Sequence, residues 1–171
     1  MKFLLSTVLA ATASTALALG TPIKSLVTGS GGQLTIEDGL YVVSKRTSDL
    51  TYLQMGVGTT QASAGRIQGL TLFAFREYLK PSELALLISN TRRVATTCFN
   101  LSQGRMDAIA YWLTVQNKSA YRNVTSSFGP MNLRFKRDVT SDGTYYTAVY
   151  MNRSGLPGQT PWINYCTDGT K

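Results

Sequence analysis

The segment "NLRFKRDVTSDGTYYTAVYM", residues 132–151, constrains the fold of this chain more than any other. "NLRFKRDV" and "TYYTAVYM" alternate with period two around "TSDG", which carries an Asp-Gly turn signal. Two strands joined this way form an antiparallel hairpin with one buried side and one wet side. In its first strand Leu133 and Phe135 take one side, Arg134 and Lys136 the other. The chain must therefore build an antiparallel sheet and find something to cover its apolar face.

Two segments have the period of a helix. In "KPSELALLISNTRR" Pro81 suits the first turn, Glu83 sits near the positive end of the dipole, and Leu84, Leu87, Ile88 and Thr91 share a face that ends at Arg92-Arg93. "SQGRMDAIAYWLTVQN" places Met106, Ile109, Ala110 and Leu113 on one stripe, with Ser102 as a candidate cap. Strands are expected in "LTIEDGLYVVSK", "LTYLQMGV", "VATTCFN" and "WINYC", and in "RIQGLTLFAFREYL", where the start of a helix is the alternative and Gly69 favours the strand; connections are expected in "TTQASAG" and "NRSGLPGQTP". This order predicts an α+β fold, an antiparallel sheet with two helices packed on one face. A mostly β fold with peripheral helices is the alternative.

The chain opens on "MKFLLSTVLAATASTALALG", in which Lys2 precedes an apolar run ending in Ala16-Leu17-Ala18. That pattern predicts a signal peptide over residues 1–18. No later segment approaches the roughly 20 apolar residues of a spanning helix, so a secreted, extracellular protein without a transmembrane anchor is expected. Residues 19–33, "LGTPIKSLVTGSGGQ", read as a flexible N-terminal arm, and 34–171 as a single α+β domain, expected to be monomeric. Export places Cys98 and Cys166, the two cysteines, in an oxidising compartment and predicts that they pair. It also makes candidate glycosylation sites of Asn100, Asn117, Asn123 and Asn152, each in an Asn-X-Ser/Thr acceptor.

The chain contains no histidine. This removes the usual acid/base pair of secreted ribonucleases, the base of serine and cysteine triads, and the commonest zinc ligand. With both cysteines expected in a disulfide, neither a metal site nor a cofactor is expected. Carboxylate chemistry survives in principle through Glu37, Asp38, Glu77, Glu83, Asp107, Asp138 and Asp142, although most sit in turns or early in helices. "GVGTTQASAG" lacks the spacing and the lysine of a phosphate loop.

Charge is more informative. Lys and Arg number 17 against 9 Asp and Glu, for a formal net charge of +8. Such a surface favours anionic partners, whether an anionic glycan, phospholipid headgroups or nucleic acid, and charge alone does not choose among them. In the carboxyl half, Arg134, Lys136, Arg137 and Arg153 interleave with Tyr145 and Trp162 as a candidate anionic-ligand surface. Lys45-Arg46, Arg92-Arg93 and Lys136-Arg137 are dibasic pairs. Lys45-Arg46 runs into the turn residues Thr47-Ser48-Asp49, which makes it the best-placed candidate for processing, whereas a strand ending at Arg46 in a hairpin argues against cleavage.

The leader "MKFLLSTVLAATASTALA", the segment "TTCFNLS" and the basic pairs together resemble the small secreted proteins of fungi, among them effectors and killer toxins. That resemblance implies a secreted, non-enzymatic protein binding a host or competitor macromolecule. Two other readings stand beside it: a carbohydrate- or cell-wall-binding module using tyrosine, tryptophan and basic residues, and a secreted hydrolase, either carboxylate-based or a catalytically dead ribonuclease-like protein.

Overall fold

The computed structural model describes residues 20–37, 40–46, 52–61, 65–160 and 163–168. The expected leader, the turn residues Thr47-Ser48-Asp49 and Trp162 lie outside them. The fold is α+β. Strands β1 (Thr21–Pro22), β2 (Gln33–Glu37), β3 (Leu40–Arg46), β4 (Tyr52–Gln61) and β5 (Ile67–Ala74) come first, with helix α1 (Ile23–Thr28) between β1 and β2. Helices α2 (Pro81–Cys98) and α3 (Met106–Lys118) follow, then β6 (Asn123–Phe128), β7 (Met131–Val139), β8 (Tyr145–Arg153) and β9 (Cys166–Thr167).

Seven strands form one antiparallel sheet in the order β2-β3-β4-β5-β8-β7-β6. The expected hairpin is β7–β8, paired from Met131↔Arg153 to Val139↔Tyr145. Side chains alternate faces along each strand, so one register divides the sheet in two. Val57, Leu72, Val149 and Phe135 form a row across β4, β5, β8 and β7 on the inner face, and all four are buried. Leu87, Val94, Ile109 and Leu113 of the helices are buried in the same cluster. The two long helices thus cover one face, and the other face is left open.

Three local expectations are corrected. "VATTC" is the last part of α2 and not a strand: Val94, Ala95 and Cys98 are buried at helical spacing from Leu87 and Thr91, and burial overrides the β-propensity of Val and Thr. Arg92-Arg93 accordingly lies inside the helix and not at its end. Residues 20–32 are not a loose arm either. Ile23 and Val27, one helical turn apart on α1, are both about 1 % exposed, and β1 pairs in parallel with β9.

Smaller differences have local causes. Thr59–Gln61, expected in a loop, extend β4 along β5, and of the described residues of "WINYC" only Cys166 lies in a strand. Glu83 accepts from the Lys80 amide at 2.7 Å, completing the start of α2, whereas Ser102 makes no side-chain cap. Strand β6, at the sheet edge, was not expected; "NVTSSF" has too few apolar residues to signal it.

Cys98 and Cys166 form a disulfide, with Cα atoms 5.1 Å apart. It joins the end of α2 to β9, and through β9 to β1. Closing a loop of 68 residues stabilises the domain by about 4 kcal/mol on the chain-entropy view. Among the described residues, no helix is long and apolar enough to cross a membrane.

Candidate functional site: the open face of the sheet

The open face is built from the alternate residues of the same strands. One row across it reads Gly56, Phe73, Ala148, Lys136 and Asn123; the next reads Gly58, Thr71, Tyr150, Arg134 and Thr125. Tyr146 stands opposite Asp138 at the hairpin end. A small residue, Ala148, thus lies between Tyr146 and Tyr150 along β8. Phe73 flanks it on β5 and Lys136 on β7.

This alternation of small and large side chains makes a shallow groove of about 490 Å³, lined by Thr71, Phe73, Phe75, Tyr146, Ala148 and Tyr150 and closed by the turn from Val139 to Ser141. Phe73 and Phe75 meet edge to face, with ring centroids 5.6 Å apart, and Phe75 is 61 % exposed. Gly56 is what lets the Phe73 ring lie against the sheet: a Cβ there would sit 2.1 Å from Phe73 Cζ. The groove floor is therefore set by a glycine on the neighbouring strand.

Its charged rim is arranged by the same pairing. The Arg134 guanidinium lies 5.5 Å from the Tyr150 ring centre and donates to Asn123 Oδ1 at 2.8 Å. Lys136 donates to Tyr146 Oη at 3.3 Å and pairs with Asp138 at 2.5 Å. The hydrogen bond to Asp138, then that to Tyr146, raises the Lys136 pKa; the same Lys136 bond, with the Val139 amide, holds Asp138 below its usual range. Burial, then the neighbouring Tyr146 phenol, pushes Tyr150 upward. The groove thus presents the Tyr150 phenol beside Arg134 and beside Lys136 with its partner Asp138. Rings for stacking and cations for an acidic group fall within one patch.

The expected surface residues are separated by the fold. Arg134 and Lys136 are on the open face. Arg137 and Arg153 are not: they are 2 % and 5 % exposed, on the inner face. The Arg137 guanidinium donates to the carbonyls of Gln116, Asn117, Ser119 and Tyr121 at 2.7–3.1 Å, satisfying the end of α3, and stacks on Tyr78 at 4.3 Å. Arg153 donates to the Cys98 carbonyl at the end of α2 and to Asn164, both at 3.1 Å. Each long helix is therefore closed by an arginine rising from the sheet. Burial lowers the pKa of both guanidinium groups. Tyr145 falls on the inner alternation at the hairpin end, 46 % exposed, away from the groove.

The acceptor asparagines also divide. Asn117 is buried, and its amide makes a two-point bond with the Leu79 backbone, both contacts 3.0 Å, so the folded protein has no room for a glycan there. Asn123 and Asn152 are exposed on the open face, and Asn100 is half-buried with Oδ1 accepting from the Asn164 amide. At the dibasic pair Lys45-Arg46, β3 runs to Arg46 and pairs Lys45↔Leu53 and Arg46↔Tyr52 with β4, the geometry of a hairpin.

Sequence reasoning missed Phe73 and Phe75 as site residues. The signal was the Gly56-Val57-Gly58 spacing in β4, which leaves an open-face track that only a bulky neighbour on β5 can fill. Comparison with protein-family models, curated proteins and solved structures finds no match to this chain.

Proposed function

We propose that this chain is a secreted, non-enzymatic binding protein of the effector-like or toxin-like kind, and that it engages an acidic glycan on a host or competitor surface through the open face of its sheet. The observation that carries the reading is the groove between Tyr146 and Tyr150, floored by Ala148, walled by Phe73 and Phe75 and rimmed by Arg134 and Lys136. Half-exposed rings offer faces to sugars, and the rim cations select those bearing carboxylate or sulfate.

A carboxylate-based hydrolase is less well supported. Glu77 pairs with Arg122 at 2.7 Å, Glu83 with Arg76 at 2.9 Å, Asp107 with Arg92 at 2.5 Å and Asp138 with Lys136. Asp142 is held in its own turn by Thr140 and Thr144. These acids are spread over the β5–α2 connection, the helices and the hairpin, and the pairs serve structure.

A glycan array carrying neutral and uronic-acid oligosaccharides tests the reading. Binding to the acidic set that is lost in Phe75→Ala and Tyr150→Ala, with both variants folded, supports it. Equal binding by the wild type and both variants contradicts it.

A further inference from the structure

A second surface lies on the helix-covered side, and it joins two dibasic pairs that are distant in sequence. Lys45 and Arg46 end β3, and Arg92 and Arg93 lie in α2. Between them is the turn that follows α1. The Lys45 ammonium donates to the Ser30 carbonyl at 2.9 Å, while the Arg93 side chain lies against Gly29, where a Cβ would be 2.6 Å from Nη1. The turn thus has one pair on each side.

Two cavities open along this flank of α2. One, of about 380 Å³, includes Ser30, Lys45, Arg46 and Ser82; the other, of about 600 Å³, includes Arg92, Arg93, Thr96, Thr97 and Gln103. Both are lined by Ala85 and Ser89, so they abut. From Ser82 to Thr97 the helix rises about 22 Å, which gives the combined trough the length of several sugar residues.

Arg92 is held by the Met106 carbonyl and Asp107. Arg46 and Arg93 form no ion pair among the described residues. Serine, threonine and Gln103 side chains line the rest together with apolar Leu53, Ala85, Leu86, Ile88 and Met106, and no aromatic ring is among the described lining residues.

We propose that this trough binds a linear sulfated polysaccharide. Guanidinium forks and serine and threonine hydroxyls suit tetrahedral oxyanions, and cations spread along one helix suit a chain with a charge on each repeat. A single-stranded nucleic acid fits less well, because its bases call for stacking platforms. The site is separate from the open-face groove and does not depend on it. On this reading the basic pairs are ligand contacts, and the two surfaces allow a charged chain and a short acidic glycan to bind together.

The test is calorimetry with heparin, the same polysaccharide desulfated, an oligothymidylate, and phosphatidylserine vesicles. In the Phe75→Ala background, which removes the proposed glycan groove, heparin alone should bind. Arg46→Ala/Arg93→Ala should weaken it at least about tenfold, and the charge-matched Lys118→Ala/Arg122→Ala variant less than about threefold. Phe75→Ala should bind heparin as the wild type does, which separates this site from the proposed glycan groove. Equal losses in the two double variants would reduce the effect to net charge and overturn the proposal. So would preferential binding of the oligonucleotide or the vesicles, or no heparin binding by a folded wild type.

Discussion

Replacing Arg137 by methionine separates a structural arginine from a ligand-binding one. The substitution keeps much of the apolar stem and removes a guanidinium that donates to four carbonyls, those of Gln116 and Asn117 at 2.7 Å being the shortest. Hydrogen bonds from a charged donor contribute about 1.5–3 kcal/mol each, but carbonyls nearest the surface recover water. The loss should be about 3–5 kcal/mol, the range for breaking a buried charged cluster from one side. In a domain of this size that lowers Tm by about 10–15 °C. Lysine at the same position reaches fewer carbonyls and should recover less than half.

Thermal and urea unfolding followed by circular dichroism measure this directly, with Arg134→Met on the open face as the comparison. That variant should shift stability by less than about 1 kcal/mol. If Arg137→Met unfolds within about 1 kcal/mol of wild type, the closure of α3 by this side chain is refuted. If it abolishes glycan binding at unchanged stability, Arg137 belongs to the ligand surface after all.

Gly56→Ala should displace the Phe73 ring, cost about 1–3 kcal/mol in urea unfolding and weaken binding at the groove. Intact-mass and peptide mapping of protein expressed through a eukaryotic secretory pathway should find Asn117 unmodified, and Asn117→Ala should destabilise by about 1–3 kcal/mol through the Leu79 backbone groups it leaves unpaired. Asp138 and Asp142 have folded pKa values below their unfolded ones, so each contributes stability that is present above the ordinary carboxyl value and lost as pH falls through the folded one. Stability–pH curves of Asp138→Asn and Asp142→Asn should therefore be flatter than wild type on the acid side; unchanged curves would contradict the turn and rim contacts. Tyr150 is shifted the other way, so ultraviolet titration should show a phenol ionising above the ordinary value near 10.

Much of this architecture could be read from periodicity. The β7–β8 hairpin, the two helices on one face and the disulfide follow from alternation, helical stripes and cysteine pairing. The same alternation that sends Arg134 and Lys136 outward sends Arg137 inward with Leu133 and Phe135, and Arg153 inward with Val149 and Met151. What periodicity does not supply is a partner able to satisfy a buried guanidinium. Here the partners are the carbonyl ends of α2 and α3, known only once the helices are docked. "VATTC" misleads because local propensity and burial disagree, and Ile23 and Val27 are hidden because they are few among Gly and Ser. The groove needed register: Gly56 and Phe73 are unrelated in sequence until β4 and β5 pair.

Chemical-shift mapping of the folded domain during titration with a non-sulfated uronic-acid oligosaccharide locates the glycan site. The largest shifts should fall on Thr71, Phe73, Phe75, Lys136, Tyr146, Ala148 and Tyr150 and be absent from the helix-covered face. Shifts centred on α2 and α3, or none at saturating oligosaccharide, would contradict that placement.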